Sequence, residues 1–405
     1  MERKTIVVVG TLASDPYAGM AWMHMQIVVG LKRLGHNVFY FEVTHTWPYD
    51  PVLQTRVNNA EYAVSYLKKI AERFGIGNQW AYRCSFADNK EWHGINKARA
   101  EDLLANADLV LNISGATRFK QVGLKTGRLV YYGTDPVYHE IKYAQGDPEV
   151  RSIIEEHDDV ISYGENIGNP GCPIPSLPML RAKTRQPVLT DLWENDAVTR
   201  NAFTTVGNWK QGGRDINFNG EIYHWSKHHE FLKFIDLPKK IYQPIELAMN
   251  LAKPETFRHG RGTAVPALGV ANEEYDLLES NGWHLVDGPA FSTDPWQYRD
   301  YIIHSRGEFT FAKDQNIRLR SGWFSERSAC YLAAGRPVIT QDTGFGITIP
   351  TGEGLFAFNT MDEVIAAFDA ISSDYQKHSR AAKEIAREYF KAETVLEKLL
   401  NDLGT

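Results

Sequence analysis

Hydrophobic and polar positions alternate along this chain in a β/α rhythm. Residues 5–9 are an apolar, mostly β-branched run that reads as a buried parallel strand. A loop over 10–19, a helix to about Leu34 ending in Gly35-His36, and a strand over 38–43 follow. This β–loop–α–β opening is Rossmann-like but lacks GxGxxG, which disfavours a dinucleotide dehydrogenase. Further strands are predicted at 109–113, 129–132 and 160–163, with helices at 58–74 and 97–104. Polar loops at 114–117, 133–136 and 164–168 follow those strands, so they should line one edge of a cleft. The stretch 169–187 is rich in Pro and Gly and reads as a connector.

A second β/α series begins at 203–209. Helices are predicted at 224–234, 273–281 and 361–370, strands at 283–286 and 307–312, and one long amphipathic helix at 374–400. The densest signals lie in 318–346, RLRSGWFSERSACYLAAGRPVITQDTGFG. A polar loop carrying Arg318, Arg320, Ser321 and Gly322 leads into a helix over 325–334. A strand over 337–341 and the loop Asp342-Thr343-Gly344-Phe345-Gly346 follow. Ser325 suits the N-cap, Gly335 the C′ position, and Pro337 stops the helix. Ala329, Leu332 and Ala333 form a small-residue face for packing on a sheet. Free N–H groups beside two arginines and a glycine suit an anion such as a diphosphate.

This stretch resembles the donor-binding element of GT-B glycosyltransferases, through its Gly335-Arg336-Pro337-Val338 step and the loop after it. Leu31, Leu34, Gly35, His36 and Val38, after a loop containing Gly19, are similar to the first unit of the same enzymes. The resemblance implies an α/β fold of two Rossmann-like domains facing across a cleft. Residues 1–195 would form the acceptor domain and 196–380 the donor domain, with 381–405 a helix returning to the first. It implies transfer of a sugar from a nucleotide-diphosphate sugar, with a UDP-sugar favoured, to an acceptor hydroxyl. Where the family often carries a ribose-binding Glu this chain has Cys330, and Glu326 lies one turn earlier. Glu326 is therefore either a ribose ligand or an acid placed for the helix dipole.

Composition narrows the partners. A net charge of −6 gives no basic footprint for nucleic acid or anionic lipid. Three cysteines, Cys84, Cys172 and Cys330, form no CxxC pair, which suits a reducing cytoplasm. The N-terminal apolar run is too short for a signal peptide, and no segment has the length to span a bilayer.

The cations Lys210, Arg214, Lys313, Arg318 and Arg320 fall in loops after strands of the second half and could neutralise a diphosphate. Arg214, Lys313, Arg318 and Arg320, with Gly19, Asn208, Ser325, Glu326, Asp342, Thr343, Gly344 and Phe345, make up the expected donor site. Candidate bases for an inverting transfer are Asp15, His24, Asp135, His139 and Glu165, with Asp135, Glu165 and His24 put forward as catalytic. His224 and His228 would share a helix face beside His229 and Glu230, but no HExxH accompanies them, and no metal is expected. An epimerase or hydrolase acting on a sugar nucleotide, and a non-catalytic binding protein, remain open alternatives. With no DxD pair at a strand end, binding of nucleoside diphosphate is expected to persist in excess chelator. Loss of binding in EDTA, restored by added divalent ion, would refute this.

Overall fold

The computed structural model describes residues 2–44, 46–84, 91–195, 200–250 and 272–405, with the backbone of the short strands Phe257–Arg258 and Ala264–Val265. Two sheets organise them. The first takes its strands in the order Leu180–Lys183, Asp159–Ser162, Leu129–Gly133, Leu109–Ile113, Thr5–Val9, Asn37–Thr44, Trp80–Cys84 and His93–Gly94. All pairs are parallel except the last, which is antiparallel. The second runs His284–Asp287, Ile245–Met249, Phe203–Gly207, Gly307–Thr310, Val338–Gln341 and Leu355–Phe358, all parallel. Parallel strands covered by helices on both faces need apolar side chains on both faces, hence TIVVV at 5–9 and LVLNI at 109–113.

The expected strands at 5–9 and 109–113 are present, and those near 38–43, 129–132, 160–163, 283–286, 307–312 and 337–341 shift by a residue or two at their ends. Ile245–Met249 escapes the pattern because Glu246 interrupts it. That carboxylate is buried but satisfied by Arg200 (2.7 Å), the Tyr301 hydroxyl (2.6 Å) and His284 (3.2 Å). The expected connector at 169–187 contains the edge strand Leu180–Lys183. The expected helix at 374–400 is three pieces: Tyr375–Ile385, a wide π turn at Ala386–Phe390, and Ala392–Asp402. The break has a cause. The Val188 N–H donates to the Phe390 carbonyl (2.7 Å), and the Val188 carbonyl accepts from the Ala392 N–H (2.9 Å), so the crossing segment takes groups a continuous helix would use.

The helix Ala18–Arg33 lies at the junction of the halves. Trp22 is buried against Trp193 and Trp296 and donates its indole N–H to the Pro295 carbonyl (2.8 Å). On another face Gly30 meets the final helix, Ala392–Asp402, which returns to the first half. A Cβ at Gly30 would fall 2.5 Å from Leu396 Cδ1 and 3.0 Å from Ala392 Cβ. Glycine inside a helix costs about 1 kcal/mol relative to alanine, and here the close approach of two helices is what it permits. Among the described residues, no helix is long and apolar enough to cross a membrane. Gly30→Val should overpack this contact and destabilise the fold by about 1–3 kcal/mol, seen as a lower denaturant midpoint. An unchanged midpoint would mean that the return helix does not depend on this fit.

Candidate functional site at the carboxyl ends of the second sheet

In the second sheet the strand order reverses beside Phe203–Gly207, which pairs with Ile245–Met249 on one side and Gly307–Thr310 on the other. Such a switch point leaves a crevice outside the carboxyl ends of the strands. Cations from three segments gather there. Arg327, in the first turn of the helix Glu326–Ala333, donates to the Val206 carbonyl (2.5 Å), Thr310 Oγ1 (2.8 Å) and Glu308 Oε1 (2.6 Å). Lys313 follows Gly307–Thr310, and its Nζ lies 3.1 Å from the centre of the Trp225 ring and 2.5 Å from Asp135 Oδ2. Lys227, just before the helix His228–Lys233, has its Nζ 5.8 Å from the Trp323 ring. Arg214 lies over Tyr138 and Trp225.

The charge does not balance. Arg327 has Glu308 and Lys313 has Asp135, but Lys227 and Arg214 have no carboxylate partner among the described residues. Desolvation, reinforced by the nearby charges of Arg327 and Lys313, pulls the Lys227 ammonium down to about 7. Burial also lowers Lys313, with Asp135 opposing the shift. From the first half come Asp135, Tyr138 and the Thr134 carbonyl, which accepts from Trp323 Nε1 (3.1 Å).

The sequence-predicted residues divide around this crevice. Lys313, Arg214 and Asp135 belong to it. Asn208 lies half-buried just past the end of Phe203–Gly207, while Lys210 is paired to Glu274 (2.6 Å). Gly19 falls in the first turn of its helix rather than in a loop, and faces the Tyr298 hydroxyl. Arg318 closes the short helix Asp314–Arg318 rather than lying in a loop. It is occupied by Asp314 (2.9 Å), Glu221 (2.6 Å) and the Tyr223 ring. Arg320, at φ +53°, pairs with Asp342 (2.7 Å).

Arg320 and the loop Asp342–Phe345 serve a clasp between the halves. Asn166 Nδ2 donates to the carbonyls of Arg320 and Gly344 (both 3.0 Å), and the Asn166 N–H to Ser321 (3.1 Å). Gly344 is required at φ +90°, where a Cβ would also lie 2.5 Å from Asn166 Nδ2. Asp342 Oδ1 accepts from the Gly344 N–H, Thr343 donates to the Trp323 carbonyl, and Phe345 packs edge-on to Phe324. Ser325 holds the N-cap position, but its hydroxyl makes no cap bond. Glu326 accepts from Gln26 Nε2 (2.6 Å) and the Cys330 thiol (3.4 Å), and burial pushes it up to about 7.

Of the expected bases, Glu165 is paired with Arg185 (2.6 Å) and Asp15 with Arg56 (2.7 Å). His24 lies in the interior. It is fully buried beneath the first loop, where a Cβ on Gly10 would come within 2.1 Å of its Nε2. Its Nδ1 bonds the Met20 carbonyl (2.7 Å), and burial holds it down to about 4. His139 is likewise held at about 4 beside the Tyr131 hydroxyl. His224 precedes the helix instead of sharing a face with His228, and its ring stacks on His229 at 4.1 Å. Among the described residues, no group of three or more His, Cys, Asp or Glu side chains is arranged for a metal.

No protein-family model matches the chain, and neither does any curated protein sequence. Solved structures do. An α-glucosyltransferase in complex with UDP and a 13-mer DNA containing a central A:G mismatch is similar at TM-score 0.55 and 9% identity, over 100% of both chains. HepE of Anabaena in complex with UDP-glucose is similar at 0.55 and 11%, over 99% of this chain and 100% of that one. The sucrose-phosphate synthase of Thermosynechococcus elongatus is similar at 0.52 and 12%, over 99% of each. The fold is GT-B. In GT-B terms the cations stand on the C-terminal half and Asp135 and Tyr138 reach them from the N-terminal half.

Lys227, Arg327, Trp225, Trp323 and Asn166 were not among the sequence-predicted donor residues. Arg327 adjoins Glu326 in the stretch already singled out, so its proximity was the available signal. Lys227 sits in a Lys-His-His run whose metal-like look drew attention from the lysine. Arg327→Ala should strand Glu308, whose side chain is fully buried, and cost about 3–5 kcal/mol of stability by chemical denaturation. The double variant Arg327→Met/Glu308→Gln should recover part of that loss. No recovery would show that packing, not charge, is at stake.

Proposed function

We propose that this protein transfers a sugar from a nucleotide-diphosphate sugar to an acceptor hydroxyl. The observation that carries the reading is Lys227: a desolvated ammonium in no ion pair among the described residues, beside Lys313 and Arg327, at the switch point of a GT-B sheet. Such a group is costly to keep unless an anion completes it. A diphosphate supplies that charge, and the same cations would stabilise it as the leaving group, so that no metal is required. UDP in the α-glucosyltransferase structure and UDP-glucose in HepE support a UDP-sugar as co-substrate. Asp135, Tyr138 and the Thr134 loop face the site from the other half and would border the acceptor. The α-glucosyltransferase was solved with DNA, whereas a net charge of −6 on this chain favours an acceptor other than nucleic acid. Cys84, Cys172 and Cys330, far apart in the sequence and without a CxxC pair, suit a reducing, cytoplasmic setting.

The test is a coupled one. UDP-glucose is incubated with and without a panel of hydroxyl acceptors, and products are resolved by mass. A glycosylated acceptor supports transfer, free glucose alone would point to a hydrolase, and no turnover at all would leave only binding. Proton linkage offers a sharper check. Lys227 sits at about 7 in the free protein, and a bound diphosphate favours its charged form and so raises its pKa. Above pH 7 binding must therefore take up a proton, and affinity should fall by up to about tenfold per pH unit towards the ordinary lysine range. Calorimetry of UDP binding at pH 8, in buffers of different ionisation heat, should show uptake that Lys227→Met abolishes. Uptake unchanged in that variant would remove Lys227 from the site.

A further inference from the structure

Within the cation group, Lys313 is the member neutralised from the opposite half. Its ammonium lies 2.5 Å from Asp135 Oδ2, on a side chain only 8% exposed. The other Asp135 oxygen is buried without a hydrogen-bond partner. A carboxylate held half-satisfied is a poor resting place unless the ammonium keeps it there.

The loop carrying Asp135 is built to hold this pose. Two residues on, Val137 has φ +96°, a conformation costly for a β-branched side chain. Its N–H is held by Glu140 Oε2 (2.8 Å), and its side chain is buried in a cluster with Ile216, Tyr223 and Leu319 of the opposite half. Asp135 is thus aimed at the anion site by structure on both sides of the cleft.

We propose that Asp135 is the resting counter-ion of the anion site, occupying Lys313 until a diphosphate displaces it. The proposal rests on the donor reading above and adds a regulatory contact to it. A phosphate and a carboxylate cannot share one desolvated ammonium without repelling each other, so the donor must evict Asp135. Eviction leaves that carboxylate free at the border of the two halves, where an acceptor hydroxyl would arrive.

Titration calorimetry with UDP tests this on wild type, Asp135→Asn, Asp135→Glu, Lys313→Met and the double variant Asp135→Asn/Lys313→Met, each checked for folding by circular dichroism. Asp135→Asn removes the competitor and should bind UDP about tenfold more tightly, whereas Asp135→Glu keeps the charge and should stay near wild type. In the Lys313→Met background the same change should shift affinity by less than about twofold, because the contact it relieves is already gone. Asp135→Ser, with the same expected gain, replaces the asparagine variant if that protein does not fold. Equal or weaker UDP binding by the neutral variants, in a protein whose wild type binds UDP, would overturn the counter-ion proposal alone. Absence of UDP binding in every variant and in wild type would sink the donor reading and this proposal with it.

Discussion

One buried amide ties the first helix to the second half and to the segment around Leu189 at once. Gln26, fully enclosed in the first helix, uses both ends of its side chain. Its Nε2 donates to Glu326 on the second half, and its Oε1 accepts from the Leu189 N–H (3.0 Å) and Trp193 Nε1 (3.1 Å) on the crossing segment. A buried amide left unpaired costs on the order of 1–3 kcal/mol, so these elements must be in register with one another. Trp22, one turn earlier on the same helix, fills the apolar space around the amide and is tied to Pro295 by its own indole. The helix thus fixes where the helix Glu326–Ala333 begins, and with it where Arg327 points.

Charge is distributed unevenly because of that arrangement. Arg327 is committed to Glu308 and to backbone and hydroxyl oxygens at the strand ends, and so acts as a fixed floor. Lys227 and Arg214 are committed to nothing negative among the described residues and rest on aromatic faces instead. Aromatic rings steady a cation at modest energy, about 0.5–2 kcal/mol, and leave its net charge uncancelled. The crevice keeps its cations ordered while leaving them short of negative charge.

Much of the architecture was legible in the sequence because parallel strands and their helices have strong periodic signatures, and Gly335 with Pro337 marked one boundary plainly. The strand with Glu246 was not, since its acid is made acceptable only by Arg200, Tyr301 and His284, which lie far along the chain or in other elements. The break in the last helix was equally hidden, because Val188 causes it from some two hundred residues away. For the site, residue type was readable but pairing was not. Arg318 and Lys313 look alike in sequence, yet one is saturated by Asp314 and Glu221 and the other faces Trp225 and Asp135. Partnerships across the cleft, such as Asn166 with Gly344, depend on how two sheets dock, which no local pattern encodes.

The exchange of hydrogen bonds between Val188 and the Phe390–Ala392 turn has a mechanical meaning. The chain passes between the halves twice, and these two passages are stitched into a single ribbon. Separate tethers would let one half slide, tip or swivel against the other. A stitched ribbon resists shear and leaves torsion along its own length as the soft coordinate. A substitution at Val188 or Lys391 would therefore alter the stiffness of that twist while lying remote from any charge in the crevice.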